Sequence, residues 1–294
     1  MSFLSGFIAI IGPPNVGKST LLNRILGTKM AIVSPKPQTT RNRIMGIYHG
    51  EGFQMVFMDT PGIHKTKTAL HKSMVRSALS AFHEVDILLV MIEMGHPGTL
   101  EFSPILDNLG SLRKPCLLVI NKIDKGAKEQ LLPIIERYGQ NYPFDAFMPI
   151  SALTGEGVGR LLEDLKSRLR PGPQFFPKEM KTDQTESFLV SEIIREKIYF
   201  YLRQEIPYSS AVTIQNMEEI PEKDLLSITA RIHVETGAQK GILIGKGGRM
   251  IKAIGSSARK ELEKKLSVRV YLDLRVRVEK NWSKDVRSLR RLGY

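Results

Sequence analysis

Five short groups of residues carry side chains and backbone freedom suited to holding a nucleoside triphosphate with a metal ion. Gly12-Pro13-Pro14-Asn15-Val16-Gly17-Lys18-Ser19 has the G-x-x-x-x-G-K-S spacing of a phosphate-binding loop. Its glycines let successive backbone N–H groups point at one anion. Lys18 brings a mobile cation to the β- and γ-phosphates, and the Ser19 hydroxyl suits Mg²⁺. Asp59-Thr60-Pro61-Gly62 places a carboxylate for the same metal, held through water, and a glycine N–H for a γ-phosphate. Of the pair Thr39-Thr40, Thr40 is the better candidate to close over the metal from the polar loop 34–43, which is expected to be a switch ordered by the γ-phosphate. Catalysis on this reading rests on Lys18, Thr40 and Gly62, and the metal on Ser19, Thr40 and Asp59.

The base is specified by Asn121-Lys122-Ile123-Asp124. An aspartate accepts from N1–H and the exocyclic amine of guanine. Adenine offers neither donor and leaves the carboxylate desolvated and unpaired. Lys122 lays its stem along the base, and Asn121 braces the phosphate loop. Ser151-Ala152-Leu153 follows a strand and supplies a backbone N–H toward guanine O6. Ile63, directly after Gly62, completes the nucleotide-lining set. It stands where Ras-like enzymes carry a glutamine that orients the attacking water, so hydrolysis is expected to be slow, rescued by another group, or assisted by a partner.

These motifs need a scaffold of strands that end at them. Strand-like runs at 7–11, 44–48, 53–58, 87–92, 116–120 and 147–150 alternate with helical stretches after Lys18, Thr68, Thr99, Ala127 and Gly157. That alternation predicts an α/β domain with a mostly parallel sheet covered on both faces. The link His49-Gly50-Glu51-Gly52 predicts one antiparallel hairpin at an edge. Three prolines and a glycine in residues 170–177 end the pattern. Residues 1–172 are therefore read as a P-loop domain, 173–185 as a linker and 186–294 as a second, α+β domain.

The second domain reads as a helix over 186–204, strands at 210–217 and 226–234, a short helix, the turn Gly245-Lys246-Gly247-Gly248, a basic helix to Leu266 and a strand over 268–278. A G-x-x-G turn between two helices clamps single-stranded RNA in KH domains. Ile242, Ile244, Ile251 and Ile254 have the spacing of packed helices. Lys246, Arg249 and Lys252 meet phosphates, completing an RNA-binding set of Ile244, Gly245, Lys246, Gly247, Gly248, Arg249 and Lys252. The charge agrees. The chain carries a net +13, and residues 240–294 hold 16 Lys/Arg against 5 Asp/Glu, so nearly all the excess faces a polyanion from one end.

Taken together, the motifs resemble the translation-factor-related GTPases. Over both domains the chain is similar to their Era-like members, through Pro14-Asn15-Val16, Lys36-Pro37-Gln38-Thr39-Thr40-Arg41, Asp59-Thr60-Pro61-Gly62 and Gly245-Lys246-Gly247-Gly248. The resemblance implies a type II KH domain that binds the 3′ end of small-subunit rRNA, a GTPase using GTP/GDP and Mg²⁺, and a role in maturation of the 30S subunit. It also implies a K⁺ ion near Asn15 and peripheral contact with the inner membrane surface. The alternative is an RNA-binding assembly scaffold whose GTP/GDP site is structural or sensing.

The bulk numbers narrow the setting. With 42% hydrophobic and 25% charged residues the chain is expected to fold throughout. Its single Cys116, in an apolar run, reads as a core residue in a reducing cytoplasm. No run is long enough to span a bilayer, although Arg287, Arg290 and Arg291 beside Leu289 and Leu292 in the stretch 282–294 offer a surface for lipid. No pattern argues for an obligate oligomer, and a monomer is expected.

Overall fold

The computed structural model describes residues 2–34, 36–63, 69–95, 103–109 and 113–294. Pro35, Thr68 and Thr99, which fall in the expected switch loop and at two expected helix starts, lie outside the described residues. The chain divides into two compact units, one made almost wholly of residues up to Asp183 and one of those from Gln184 onward together with the start of the helix at Ala69 and Leu70.

The first unit runs β1 (Leu4–Ile11), α1 (Lys18–Leu26), β2 (Ile44–Gly50), β3 (Phe53–Asp59), α2 (Ala69–Glu84), β4 (Ile87–Glu93), α3 (Ser103–Leu109), β5 (Cys116–Asn121), α4 (Leu131–Asn141), β6 (Ala146–Pro149), α5 (Val158–Arg168) and the two-residue β7 (Arg170–Pro171). Its sheet has the order β2-β3-β1-β4-β5-β6. All pairs along that path are parallel except β2–β3, the expected edge hairpin. β4 and β5 are almost wholly buried, as continuous apolar runs covered on both faces must be. Cys116 lies in this core with its thiol pushed up to about 12, by burial and then by Asp145, so it is inert.

β7 was not foreseen. It pairs antiparallel with the start of β1, where β4 has not yet joined. Nor do residues 173–183 run free. Gln54 receives the Phe175 and Phe176 N–H groups at 3.0 and 3.1 Å, and Thr182 donates to Met45 O at 2.6 Å. The prolines stop the helix, but the freed backbone is taken up by β2 and β3.

The second unit runs α6 (Glu186–Tyr201), β8 (Ala211–Ile220), β9 (Leu225–Val234), α7 (Gly237–Ile244), α8 (Arg249–Leu266), β10 (Arg269–Val278) and α9 (Val286–Arg291). β9 is central, antiparallel to β8 and parallel to β10. One sheet face packs with α6, α7 and α8 through Ile194, Ile198, Ile228, Ile232, Leu243 and Ile254. α7 starts with a capping box in which Thr236 and Gln239 exchange hydrogen bonds.

The short α9 also went unread in the sequence. Around it, Trp282 is fully buried and donates to Ser209 O at 3.0 Å, while Leu289 and Leu292 face inward. Leu289 and Leu292, proposed to meet lipid, are thus used in packing, and the segment exposes its arginines together with Val286.

Candidate nucleotide and nucleic-acid sites

In the first unit four of the five expected motifs sit at the carboxyl end of a parallel strand, where open α/β sheets hold their ligands, and the Thr39-Thr40 pair comes to the same end because it leads into antiparallel β2, whose Ile44 pairs with Asp59. The register pairs Ile10 with Asp59 and Glu93 with Asn121, so the loops after β1, β3, β4 and β5 come together. They line a cleft of about 850 Å³ whose walls include Lys18, Ser19, Thr40, Gly62, Lys122 and Leu153.

Glycine is required in the phosphate loop for two separate reasons. A Cβ at Gly12 would lie 2.3 Å from the Met91 carbonyl oxygen. Gly17 has φ +103°, and a Cβ there would lie 2.3 Å from Asn121 Nδ2. Lys18 is buried, and its ammonium donates to Gly12 O at 3.0 Å and Pro13 O at 2.8 Å. Burial lowers its pKa to about 8, partly offset by Asp59.

Ser19, Thr40 and Asp59 converge as the sequence suggested. Ser19 Oγ donates to Asp59 Oδ2 at 2.5 Å and lies 2.7 Å from Thr40 Oγ1. Thr39 instead turns to its own loop and donates to Lys36 O at 2.8 Å, so of the two threonines only Thr40 joins the Ser19–Asp59 cluster. Asp59 is fully buried, and its Oδ1 has no hydrogen-bond partner. Burial raises its pKa to about 6 against the opposing pull of Lys18, Ser19 and Thr40. A buried, unpartnered carboxylate oxygen beside two hydroxyls is an all-oxygen donor set, the kind that Mg²⁺ takes.

The switch loop differs from expectation in one respect. It packs, with Thr39, Thr40 and Arg41 buried. Just upstream, Asn23 of α1 ties down the segment that leads into the loop. Its Oδ1 receives the Met30 and Ala31 N–H groups at 2.8 and 2.9 Å, and its Nδ2 donates to Ala31 O at 2.7 Å. Polar composition was read as poor packing, whereas within the loop the Lys36 N–H donates to Ser34 Oγ at 3.1 Å, Thr39 donates to Lys36 O, and Thr40 meets Ser19 of α1.

Asn121 performs the bracing role. Its Nδ2 donates to Val16 O at 2.7 Å, and its Oδ1 receives the Ala152 N–H at 2.9 Å. The Ala152 N–H is therefore engaged within the protein. Lys122 is held in a left-handed backbone by its position at the start of a 3₁₀ turn and pairs with Glu93. Asp124 is exposed on that turn, and Leu153 is 65% exposed at the cleft wall.

Several residues of the motif set serve the frame. Ile63 is buried in the core and its N–H donates to Gly12 O at 3.2 Å, so its side chain does not reach the cleft. Ile123 packs in the same core, and Thr60 donates to Ile10 O at 2.8 Å. Pro61 is buried, and Gly62 lies so close to the phosphate loop that a Cβ would come within 2.7 Å of Pro14 N.

Two residues were missed. Arg24, on the last turn of α1, donates to the Ala152 and Leu153 carbonyls and ties the phosphate-loop helix to the base loop. Glu93 fixes Lys122. Neither belongs to a short motif, and only the sheet topology brings them to the site.

In the second unit, Gly245, Gly247 and Gly248 all have positive φ, and a Cβ at Gly245 would lie 2.7 Å from Met250 Cβ. Lys246, Arg249 and Lys252 are exposed around this turn, and Ile244 is half-buried. Ile242 does not pack as expected. It is 51% exposed, and Leu243 fills the core. Helical period alone did not distinguish these adjacent residues.

A phosphate loop, a metal-competent Ser–Thr–Asp cluster and a base loop braced by asparagine define a P-loop GTPase. The α-β-β-α-α-β unit with its G-x-x-G turn defines a KH domain. Comparison with known proteins agrees: residues 7–122 match the 50S ribosome-binding GTPase family, and residues 205–283 match the KH domain family. The chain is 52% identical to the GTPase Era of Syntrophus aciditrophicus, over 99% of its own length and 95% of that protein. It is likewise 52% identical to GTPase Era of Geobacter metallireducens, covering 99% and 98%. The chain belongs to the Era family of GTPases. Its fold is that of a variant of Aquifex aeolicus Era bound to GDP·AlF₄⁻, with 39% identity, TM-score 0.95 and coverage of 100% and 99%. It also matches Era in complex with MgGDPNP and nucleotides 1506–1542 of 16S rRNA, with 39% identity, TM-score 0.96 and 99% of both chains covered.

Proposed function

We propose that this GTPase is a switch in assembly of the 30S subunit. Its first domain binds and hydrolyses GTP with Mg²⁺, and its KH domain holds the 3′ end of small-subunit rRNA. The nucleotide state sets how firmly the RNA is held. The observation that carries the reading is the meeting of Ser19, Thr40 and the unpartnered Asp59 Oδ1 beside Lys18, on one chain with an exposed basic G-x-x-G turn. The relative crystallised with MgGDPNP and 16S rRNA supports the same pair of ligands here.

On this reading Ser19, Thr40 and Asp59 hold the metal, which when bound neutralises charge on the β- and γ-phosphates. Lys18 exchanges its loop carbonyls for phosphate oxygens. Asp124 and Lys122 hold guanine, with Asn121, Arg24 and Glu93 fixing the loops. Thr40 links the γ-phosphate side of the cleft to the packed switch loop. Buried Ile63 offers no group to orient water, which supports slow turnover by the isolated chain.

A K⁺ ion beside Asn15, which is exposed with φ 64° at the cleft, is the proposed aid. Equal turnover in potassium and sodium, with Asn15→Ala harmless, would remove it. The proposed site of action is the cytoplasm, where 30S subunits assemble. Among the described residues no helix is long and apolar enough to cross a membrane. Inner-membrane contact would be peripheral and depend on surface charge.

The test is the affinity of the protein for an oligonucleotide copying the rRNA 3′ end, with GDP and with a non-hydrolysable GTP analogue at fixed salt. Tighter binding with the analogue is expected, and linkage requires the RNA to tighten analogue binding by the same factor. Equal affinities would leave two independent modules and favour the scaffold.

A further inference from the structure

The sheet of the KH domain has a second face, turned away from α6, α7 and α8. The register fixes which side chains lie on it. Thr213, Arg231 and Arg275 form one row across β8, β9 and β10, and Ala211, His233 and Arg277 form the next. The alternate residues, Val212, Ile232 and Val276, belong to the core. Arg231 and Arg277 have no ion pair or hydrogen bond from their side chains among the described residues. Arg275 is 67% exposed and shares Asp273 at 2.8 Å. Arg291 reaches the same corner from α9 and pairs with Glu279.

His233 sits buried at this corner. Its ring lies 2.8 Å from Glu279 Oε2 and 2.9 Å from Thr213 Oγ1, yet its pKa is lowered to about 4, first by burial and then by Arg231, Arg291 and Arg277. A neutral ring satisfies both contacts, with Nδ1–H donating to Glu279 and Nε2 accepting from the Thr213 hydroxyl. Farther along the face lie Arg269, Tyr271, Asp273 and Glu218, with Tyr271 60% exposed.

We infer that this open face, centred on Arg231, Arg275 and Arg277, is a second RNA-backbone surface, separate from the G-x-x-G turn. Arg275 and Arg277 are two residues apart on one strand, about 7 Å, and Arg231 lies one strand spacing away, about 5 Å. Such a flat guanidinium array suits successive phosphates, each able to take a bidentate contact. Exposed Tyr271 offers a ring for a base. A lipid surface fits less well, because nearby Trp282, Leu289 and Leu292 are buried and, among the described residues, leave Val286, 52% exposed, as the one large aliphatic side chain of that segment exposed to insert. The inference rests on the RNA-binding reading and adds a contact that the reading does not require.

Two RNAs test it: nucleotides 1506–1542 of 16S rRNA, and only about their last dozen nucleotides, a length within the reach of one single-strand site. In the full chain, Arg231→Gln/Arg277→Gln should bind the short RNA within about twofold of the parent and the long RNA about tenfold more weakly. The long-RNA plot of log affinity against log salt should flatten by about 1.5, the loss of two phosphate contacts. Unchanged long-RNA affinity and slope would overturn the inference, as would equal loss on both RNAs. Loss of binding to phosphatidylserine vesicles with both RNAs unaffected would assign the face to membrane and overturn it too. If the pair melts early, Arg277→Gln alone, at an exposed position, carries the same test with half the slope change. A parent protein that binds neither RNA would sink the RNA reading itself.

Discussion

Replacing Asn121 by alanine should weaken the ligand-free protein and the nucleotide site together. Asn121 is 2% exposed and joins two loops that are otherwise far apart in sequence, through Val16 O and the Ala152 N–H. Truncation removes both hydrogen bonds. The Val16 carbonyl loses one partner, and the Ala152 N–H is left buried, a loss of about 1–3 kcal/mol for the donor and about 1 for the acceptor. A total near 2–4 kcal/mol follows, or a melting temperature lower by roughly 5–15 °C for a unit of this size. Differential scanning calorimetry without nucleotide measures this directly. GDP titration should then show weaker binding even at temperatures where the variant is fully folded, because the phosphate loop and base loop have lost their common strut. An unchanged ligand-free melt with impaired GDP binding would mean that Asn121 acts on the nucleotide alone. An unchanged GDP affinity would show that the strut has no bearing on the site.

Asp124→Asn should reduce GDP affinity by roughly 2–4 kcal/mol, the loss of paired hydrogen bonds to guanine, and isothermal titration showing parental affinity would refute the guanine assignment. Arg24→Ala should weaken GDP about tenfold through the freed Ala152–Leu153 carbonyls, with Arg24→Lys restoring part of it; identical affinities for both variants and the parent would assign Arg24 to the surface. The Asp59 carboxyl is raised to about 6, so its burial weakens the ligand-free fold above that pH and this penalty is relieved as pH falls from 6 toward 4. Mg²⁺ needs the ionised form, so Mg²⁺-dependent nucleotide binding should decline about tenfold per pH unit below 6, and a flat Mg²⁺ titration between pH 5 and 7 would contradict the metal assignment. Gly62→Ala should slow GTP turnover more than it weakens GDP binding, because its Cβ would press on Pro14; equal effects in the two assays would count against a role on the γ-phosphate side.

The motifs were legible because each needs a particular residue at a particular backbone position. Gly12 and Gly17 leave no room for a Cβ, Asn121 spans two loops with one amide, and Asp59 ends a strand in register with the strand before the phosphate loop. Strand and helix positions were legible for the same kind of reason, since β4 and β5 can only be continuous apolar runs. What stayed hidden depends on neighbours distant in sequence. Arg24 and Glu93 become part of the site through topology. β7 exists only because β1 begins before β4 reaches it. Ile63 has the spacing of a cleft residue but finds a better place in the core. In the tail, Trp282, Leu289 and Leu292 have a composition equally suited to lipid or to a groove of the domain, and the groove takes them.

The parallel pairing of β10 with β9 also sets an order of events in time. The β8–β9 ladder closes at Ile220 and Leu225, five residues apart, whereas β10 first meets β9 at Leu225 and Arg269, 44 residues apart. Closing the longer loop costs about 2 kcal/mol more chain entropy. The hairpin can therefore form early, while one side of β9 waits for α7, α8 and β10 to follow. During synthesis that bare strand edge persists until β10 has emerged. The last strand to arrive also completes the arginine rows, so the open face comes into being only as the sheet is finished.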